Sequence, residues 1–338
     1  MTNSPSANDL QVRRRQIGEA IRGHRFFLIV GHTRPDGDCL GSQIALGLGL
    51  RAMGKTVRIW TAGPILPSLR FLPGLDQIES EIDPAFEPEV TIYCDCGGLT
   101  RPGGDFEPRG LVLNIDHHIS NDHFGDINWV DTGAAAVGEM IFDLLNDLGV
   151  PFSPDIANCL YLAVMADSGS FKYGNTTLRT FEVATECVRR GANPAWVGEE
   201  FYDSLSRDTL LIKGQVLSHL HFEFGGRLCW SEISQELYER GGGEINEPEG
   251  LVGEMRSIEG VEVSVLIHEL AEGGARAGLR SRGTHRVDRI AERLGGGGHP
   301  SAAGCYILGD FAEVRERILR EVRAEMMPAV TSQRPAAG

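Results

Sequence analysis

Residues 26–42 read FFLIVGHTRPDGDCLGS. Phe26 to Val30 is a short unbroken apolar run, the character of a strand buried on both faces. Directly after it come His32, Asp36 and Asp38, and then apolar residues at Ala45, Leu46, Leu48, Leu50 and Met53, ending at Gly54. An acid ahead of such a series caps a helix, and a glycine just beyond it stops one. Asp38 is the expected cap and Gly54 the expected stop. Strand, acidic turn and helix in succession are the building unit of parallel sheets.

The same rhythm continues downstream. Thr56 to Thr61 (TVRIWT), Val90 to Cys94 (VTIYC) and Leu111 to Ile115 (LVLNI) read as further strands. Ala135 to Leu148 and Ile156 to Ala166 carry apolar residues at three- and four-residue spacing and read as helices, as do Thr177 to Arg190, Pro194 to Tyr202 and Ser206 to Leu220. An α/β fold is expected, a parallel sheet with helices on both faces. From His221 the pattern changes. His221 to Ser231 alternates like a strand, Val261 to Glu269 is a strong one, and Arg276 to Ser281 is expected to pair with it. A short amphipathic helix at Arg286 to Leu294 and a terminal one at Phe311 to Met326 complete a smaller α/β domain. Expected boundaries are 1–205 for the first domain, 206–220 for a helical linker, 221–327 for the second domain and 328–338 for a frayed tail.

Composition bounds the function. A length of 338 residues suits about two domains at roughly 150 residues each. The formal charge is −15, which argues against a protein that grips long duplex DNA over its whole surface. A short nucleic acid held by a local basic patch remains compatible. No stretch reaches the roughly 18 apolar residues needed to span a bilayer, so no membrane partner is expected. The seven cysteines are odd in number and scattered, as suits a reducing compartment, and a cytoplasmic location is expected. Cys94 and Cys96 lack a second pair at zinc-finger spacing.

Three apolar strands end in acids and histidines: His32, Asp36 and Asp38 after the first, Asp95 after the second, and Asp116, His117 and His118 after the third. Asp167 ends a helix. Open parallel sheets collect ligands outside the carboxyl ends of their strands, so these groups can converge. Crowded carboxylates repel, and divalent cations resolve the conflict. Oxygen and imidazole donors favour Mn2+, Mg2+ or a similar hard ion. The count suits two ions sharing one carboxylate, and two such ions activate water and neutralise an attacked phosphoryl group. Hydrolysis of a phosphate ester or anhydride is the chemistry these residues suggest. A single acid after a strand is commonly a turn or helix cap, and His24, His123, His219 and His268 read as ordinary surface or hydrogen-bonded residues. The conjunction of four segments carries the reading.

HTRPDGDCLGS, YCDC, NIDHHIS and MADSGSFKYGNTT resemble the four motifs of the DHH phosphoesterase superfamily, and GGGGHPSAAG at 295–304 resembles the signature of its DHHA-type C-terminal domain. Within the superfamily the length and C-terminal signature are most similar to the NrnA-type enzymes, which are bifunctional oligoribonucleases and pAp phosphatases. The resemblance implies one metal held by His32, Asp36 and Asp95 and a second by Asp38, Asp95, His117 and Asp167. It gives His118 the scissile phosphate and Asp116 the task of orienting the histidines. Expected cofactors are two divalent cations, Mn2+ ahead of Mg2+ or Co2+. Arg34 stands where the family motif often has Asn, and Cys39 and Cys96, beside ligands, read as packing residues.

Residues 276–293 hold six arginines and two acids. Arg286, Arg289 and Arg293 read as a solvated helix face in which Asp288 and Glu292 pair with neighbours. Arg280, at a strand end, resembles a substrate-binding arginine of the family. Glycine makes up 43 of the 338 residues, and Gly295 to Gly298 sit in one run. There the backbone can approach a ligand and N–H groups can cradle a phosphate, with Gly297, Gly298 and His299 as candidate contacts. Gly241 to Gly243 reads as a plain loop. The expected substrates are short RNA (nanoRNA), cut to mononucleotides, and pAp, dephosphorylated to AMP, with a terminal-nucleotide clamp on the second domain and a homodimer possible. The alternatives are a phosphodiesterase for cyclic or linear dinucleotides (pApA, pGpG), and a nucleotide-binding sensor without turnover.

Overall fold

The computed structural model describes residues 6–103, 106–240, 250–282 and 285–327. The expected loop at Gly241 to Gly243 and the tail at 328–338 lie outside them. The chain divides into two compact units, Met1–Ser204 and Leu205–Gly338.

In the first unit α1 (Ala7–Gly23) precedes β1 (Phe26–Val30), α2 (Gly37–Ala52), β2 (Thr56–Trp60), β3 (Ile78–Glu79), β4 (Val90–Cys94), β5 (Leu111–Asp116) and β6 (Ile127–Val130). Helices α3 (Val137–Asp147), α4 (Pro154–Asp167), α5 (Leu178–Arg189) and α6 (Pro194–Tyr202) follow. The six strands pair in parallel in the order β3-β2-β1-β4-β5-β6. The order reverses direction between β1 and β4, and the crevice at such a switch point is where open parallel sheets bind ligands.

Parallel sheet and flanking helices are as expected; the cover of the two faces differs in detail. Phe27, Ile29, Val57, Ile59, Ile92 and Ile115 point into the core that the helices share. Leu28, Val30, Trp60 and Tyr93 point the other way and meet Ile82, Phe86, Phe106 and Phe124, which come from connecting segments. Those connections hold Pro84, Pro88, Pro102 and Pro108, and proline keeps them from closing into helices.

Helices α2 and α4 pack unusually close. A Cβ on Gly41 would stand 2.5 Å from the Cys159 carbonyl oxygen, and one on Gly37 would stand 2.7 Å from Ala166 Cβ. Small residues on both sides let the backbones approach, and the approach brings the end of α4, Asp167, beside the start of α2.

The second unit contains α7 (Arg207–Ser218), β7 (His221–Glu223), β8 (Leu228–Ile233), α8 (Gln235–Arg240), α9 (Leu251–Ser257), β9 (Val263–Glu269), β10 (Ala275–Ser281), α10 (Val287–Arg293), β11 (Gly297–His299), β12 (Ala302–Ile307) and α11 (Phe311–Met326). Its sheet runs β11-β12-β10-β9-β8-β7, antiparallel except for β8 beside β9. The segment at 221–231 is two paired strands, split by a turn at Gly225 and Gly226. Helix α7 buries Ile212 and Val216 with Cys229, Ile233 and Leu251. One sheet face packs on α10 and α11 through Val263, Val265, Ala277, Leu279, Ile290 and Ile318.

No described helix is long and apolar enough to cross a membrane.

Candidate metal centre

The centre assembles at the switch point. Asp36, not Asp38, caps α2: its backbone is extended and its Oδ1 accepts the N–H groups of Asp38 and Cys39 at 3.1 and 3.0 Å. That leaves Asp38 in the first turn, pointing away from its own helix end. Its Oδ2 accepts Val137 N–H at 2.6 Å and its Oδ1 accepts Gly138 N–H at 2.9 Å and Ser42 Oγ–H at 3.0 Å. Asp38 is therefore the cap of α3, a helix whose own preceding residue, Ala136, has no polar side chain to offer.

Asp95 follows β4 in the left-handed region, φ +58°. An L-residue adopts that conformation at a cost, and such strain gathers at functional sites. Asp95 is 2% exposed, and its Oδ1 accepts no hydrogen bond. A buried anionic oxygen without a donor is expensive, and a cation is the partner that suits it.

Three histidines face this carboxylate. His32 Nε2 lies 3.3 Å from Asp95 Oδ2 and 4.0 Å from Asp36 Oδ1. His117 Nε2 lies 3.6 Å from Asp95 Oδ1, 3.4 Å from Asp167 Oδ2 and 3.9 Å from Asp38 Oδ2. Both rings are turned by backbone: His32 Nδ1 meets Thr33 O at 3.0 Å and His117 Nδ1 meets Ala134 O at 3.1 Å. Such bonds hold an N–H on Nδ1, so Nε2 is the position that a second proton or a cation takes. His118 Nδ1 instead meets Asp116 Oδ1 at 2.7 Å and lies 3.5 Å from Asp95 Oδ1. Asp116 thus bonds to His118, while the Nδ1 of His117 is held by Ala134 O.

The charges are strongly coupled. Burial, together with Asp95 and Asp167, raises the Asp38 carboxyl well above the usual carboxylate range. Burial raises Asp167 to about 7 against the pull of His117. Burial disfavours the charged forms of both Asp95 and His117, but the paired groups outweigh it: the histidines hold Asp95 low, and Asp167, Asp95 and Asp38 lift His117 to about 10. Without ions, protons must neutralise this cluster; divalent cations would replace them.

The donor set fits that role. Asp38, His117 and Asp167 each offer an atom within 4.8 Å of the others, and so do His32, Cys39 and Asp95. Asp95 lies within reach of both sets. Cys39 is the surprise, since its position beside a ligand suggested packing alone. A second residue that sequence reading passes over is Asn121. Its amide nitrogen meets Asp116 Oδ2 at 2.6 Å, Asn114 Oδ1 at 2.8 Å and Cys96 O at 3.2 Å. A polar residue five positions beyond Asp116 was its only trace in the sequence.

In the second unit the glycine run leaves α10 through a turn at Gly295 and then becomes a strand. Gly297 to His299 form an edge strand on β12, with Gly297 opposite Gly304, Gly298 opposite Ala303 and His299 opposite Ala302. A Cβ on Gly296 would stand 2.1 Å from Gly304 O, and one on Gly298 2.5 Å from Ala302 O. Strand packing explains those two glycines; Gly297, with nothing within 4 Å, is left unexplained by it. Ala302 also stands opposite Arg280, and Gly304 opposite Gly278. Arg280 and His299 thus share one sheet face, with Gly297, Gly304 and Gly278 as a row without side chains beside them. On α10, Asp288 pairs with Arg286 as expected, whereas Arg293 reaches Glu321 and Glu325 of α11.

Known proteins carry the same architecture. Residues 27–164 match the DHH family N-terminal domain and residues 237–327 the DHHA1 domain. The bifunctional oligoribonuclease and PAP phosphatase NrnA of Thermus thermophilus is 36% identical, over 93% of this chain and 94% of that protein. NrnA of Bacillus subtilis, with the same description, is 30% identical over 82% and 87%. The crystal structure of an exopolyphosphatase-related protein from Bacteroides fragilis superposes with a TM-score of 0.82 at 24% identity, covering 93% of this chain and 96% of its own. With a relative this similar along nearly its whole length, and a domain match in each half, the chain belongs to the DHH family, a DHH N-terminal domain followed by a DHHA1 domain.

Proposed function

We propose that this protein is a two-metal phosphoesterase that trims short oligoribonucleotides to mononucleotides and dephosphorylates pAp to AMP. The observation that carries it is Asp95: a buried carboxylate with one oxygen unpartnered, 3.3–3.6 Å from nitrogens of His32, His117 and His118. The names of the relatives supply the substrates.

In this reading His32, Asp36 and Asp95 hold one cation and Asp38, Asp95, His117 and Asp167 the other, with Asp95 shared. Mn2+ is the first choice, and Mg2+ and Co2+ accept the same ligands. When bound, the pair supplies Lewis acidity toward the phosphoryl oxygens and lowers the pKa of water. Thr33 O and Ala134 O fix the ligand tautomers of His32 and His117. Asp116 fixes the His118 ring and favours its charged form, so His118 can offer a proton or a positive charge to the phosphate. In the second unit, Arg280 and His299 bind phosphate, and the bare row at Gly297 and Gly304 admits a flat ring. Seven buried, unpaired cysteines suit the cytoplasm.

The test is a panel: purified protein with Mn2+, Mg2+ or Co2+ on 5′-labelled RNAs of two to about twenty-four nucleotides, pAp, pApA and cyclic dinucleotides. Rates should fall steeply with RNA length, with pAp hydrolysed by the same centre. Equal rates at every length, or none at all, defeat the proposal; a preference for cyclic dinucleotides transfers the centre to that substrate class.

A further inference from the structure

Cys39 is the third residue of α2 and is fully buried. Its sulfur lies directly beneath the residue before His32: a Cβ on Gly31 would stand 2.4 Å from Cys39 Sγ. The glycine leaves that space to the thiol. The sulfur, a His32 ring nitrogen and an Asp95 carboxylate oxygen all lie within 4.8 Å of one another. Among the described residues no other cysteine falls in such a group, although Cys94 and Cys96 are near neighbours. All seven thiols are buried, so no surface thiol competes for a soft ion.

We infer that Cys39 makes the His32–Asp95 half of the centre a trap for thiophilic divalent cations of the Zn2+ and Cd2+ kind. The inference rests on the metal-centre reading above and adds to it a sulfur ligand and an inhibitory ligand class. Hard ions such as Mn2+ are satisfied by the oxygen and imidazole donors and leave the thiol protonated; soft ions select thiolate. In an ion's tetrahedral shell, donor atoms stand roughly 3.5 Å apart, so shifts of about 1 Å close the group. On binding, an S–metal bond forms, the S–H bond breaks, and the proton leaves to solvent with no change of oxidation state. Asp95 is then committed to the soft ion and hydrolysis stops.

The experiment titrates the full chain with Cd2+ in two readouts, the ultraviolet sulfur-to-cadmium charge-transfer band and inhibition of Mn2+-supported pAp hydrolysis. Wild type should develop the band, saturating at one equivalent. Cys39→Ser and Cys39→Ala should both lose it, whereas Cys96→Ser keeps it. Half-inhibition by Cd2+, taken relative to each variant's own Mn2+ rate, should require at least about tenfold more ion in the Cys39 variants. A band absent from wild type, or undiminished in both folded Cys39 variants, overturns the inference. Because the band needs no turnover, its presence in a protein that hydrolyses nothing would uphold the sulfur ligand while defeating the enzymatic reading.

Discussion

Asp38 accepts the backbone N–H of Val137 at 2.6 Å, across 99 residues of sequence. The same carboxylate faces His117 at 3.9 Å, so one side chain both caps α3 and lines the candidate metal centre. Its two roles separate by experiment. Asp38→Ala should cost about 1–2 kcal/mol of stability in chelator, where no ion is bound, because α3 loses its cap. Asp38→Asn keeps one of the two acceptors and turns an amide N–H toward the other backbone donor, so it should recover only part of that stability, and it should lack activity. Urea unfolding of both variants in chelator checks this; an Asp38→Ala midpoint equal to wild type would show that the cap contributes nothing.

Asp95 is the group both cation positions share in the proposed arrangement. Asp95→Ala should reduce pAp and oligonucleotide hydrolysis to background and reduce the number of Mn2+ ions bound per chain, with an unchanged far-ultraviolet circular dichroism spectrum. Calorimetric Mn2+ titration beside the activity assay provides the measurement. Normal pAp hydrolysis by this variant would make the shared-ligand assignment wrong.

Asp116 lies out of solvent with one oxygen on His118 and the other on Asn121. Burial works against the charged form of His118, and the Asp116 hydrogen bond overcomes it and raises the pKa. Asp116→Asn keeps the shape and an acceptor but removes the charge. His118 should then lose its proton at lower pH, and the alkaline limb of the kcat profile should move toward acid. Removing such a support typically costs about 10- to 100-fold in activity. A slower variant with an unmoved limb would mean that His118 acts without its proton.

The pattern of legibility has physical causes. The acids and histidines stood out because each follows an apolar run, and a parallel sheet gathers strand ends. Which of Asp36 and Asp38 caps α2 was hidden: both precede the same helix, and the choice depends on the extended backbone at Asp36 and on the distant N–H groups of Val137 and Gly138. Helix α1 escaped because it buries only Ile17, Gly18 and Ile21 amid charged residues. Strand β6 is four residues long, and its pairing with β5 is set by tertiary register rather than local pattern. The run at 295–298 reads locally as a phosphate cradle, and its strand pairing stays hidden because the partner that excludes side chains there, β12, lies beyond the turn.

The coupled charges make metal-free stability depend on pH. His117 is raised to about 10, against an unfolded value near 6.5, so its contribution is complete below that value and lost as pH climbs toward about 10. Asp167 is raised to about 7, so burying its charge erodes stability as pH rises from about 4 through 7. Asp95 is held low and its contribution is already complete near pH 6. The metal-free protein should therefore melt at a lower temperature at about pH 8.5 than at about pH 6, and saturating Mg2+ should flatten the decline by taking the place of the protons. A metal-free profile that is flat or rises over that range would contradict the burial of these charges.

The glycines of the second unit separate folding from binding. Gly298 has φ +145° and a Cβ there would stand 2.5 Å from Ala302 O, so Gly298→Ala must push β11 off β12. Gly297 has no atom within 4 Å of the corresponding Cβ, and that Cβ would rise on the face shared by Arg280 and His299. Gly298→Ala should lower the melting temperature of the chain. Gly297→Ala should leave it unchanged and act on substrate instead, raising KM for pAp and dinucleotides more than it lowers kcat, because a methyl group in the bare row keeps a flat ring from the sheet. If Gly297→Ala changes neither parameter, that face does not meet substrate, and the arginine and histidine beside it are ordinary surface residues of an edge hairpin.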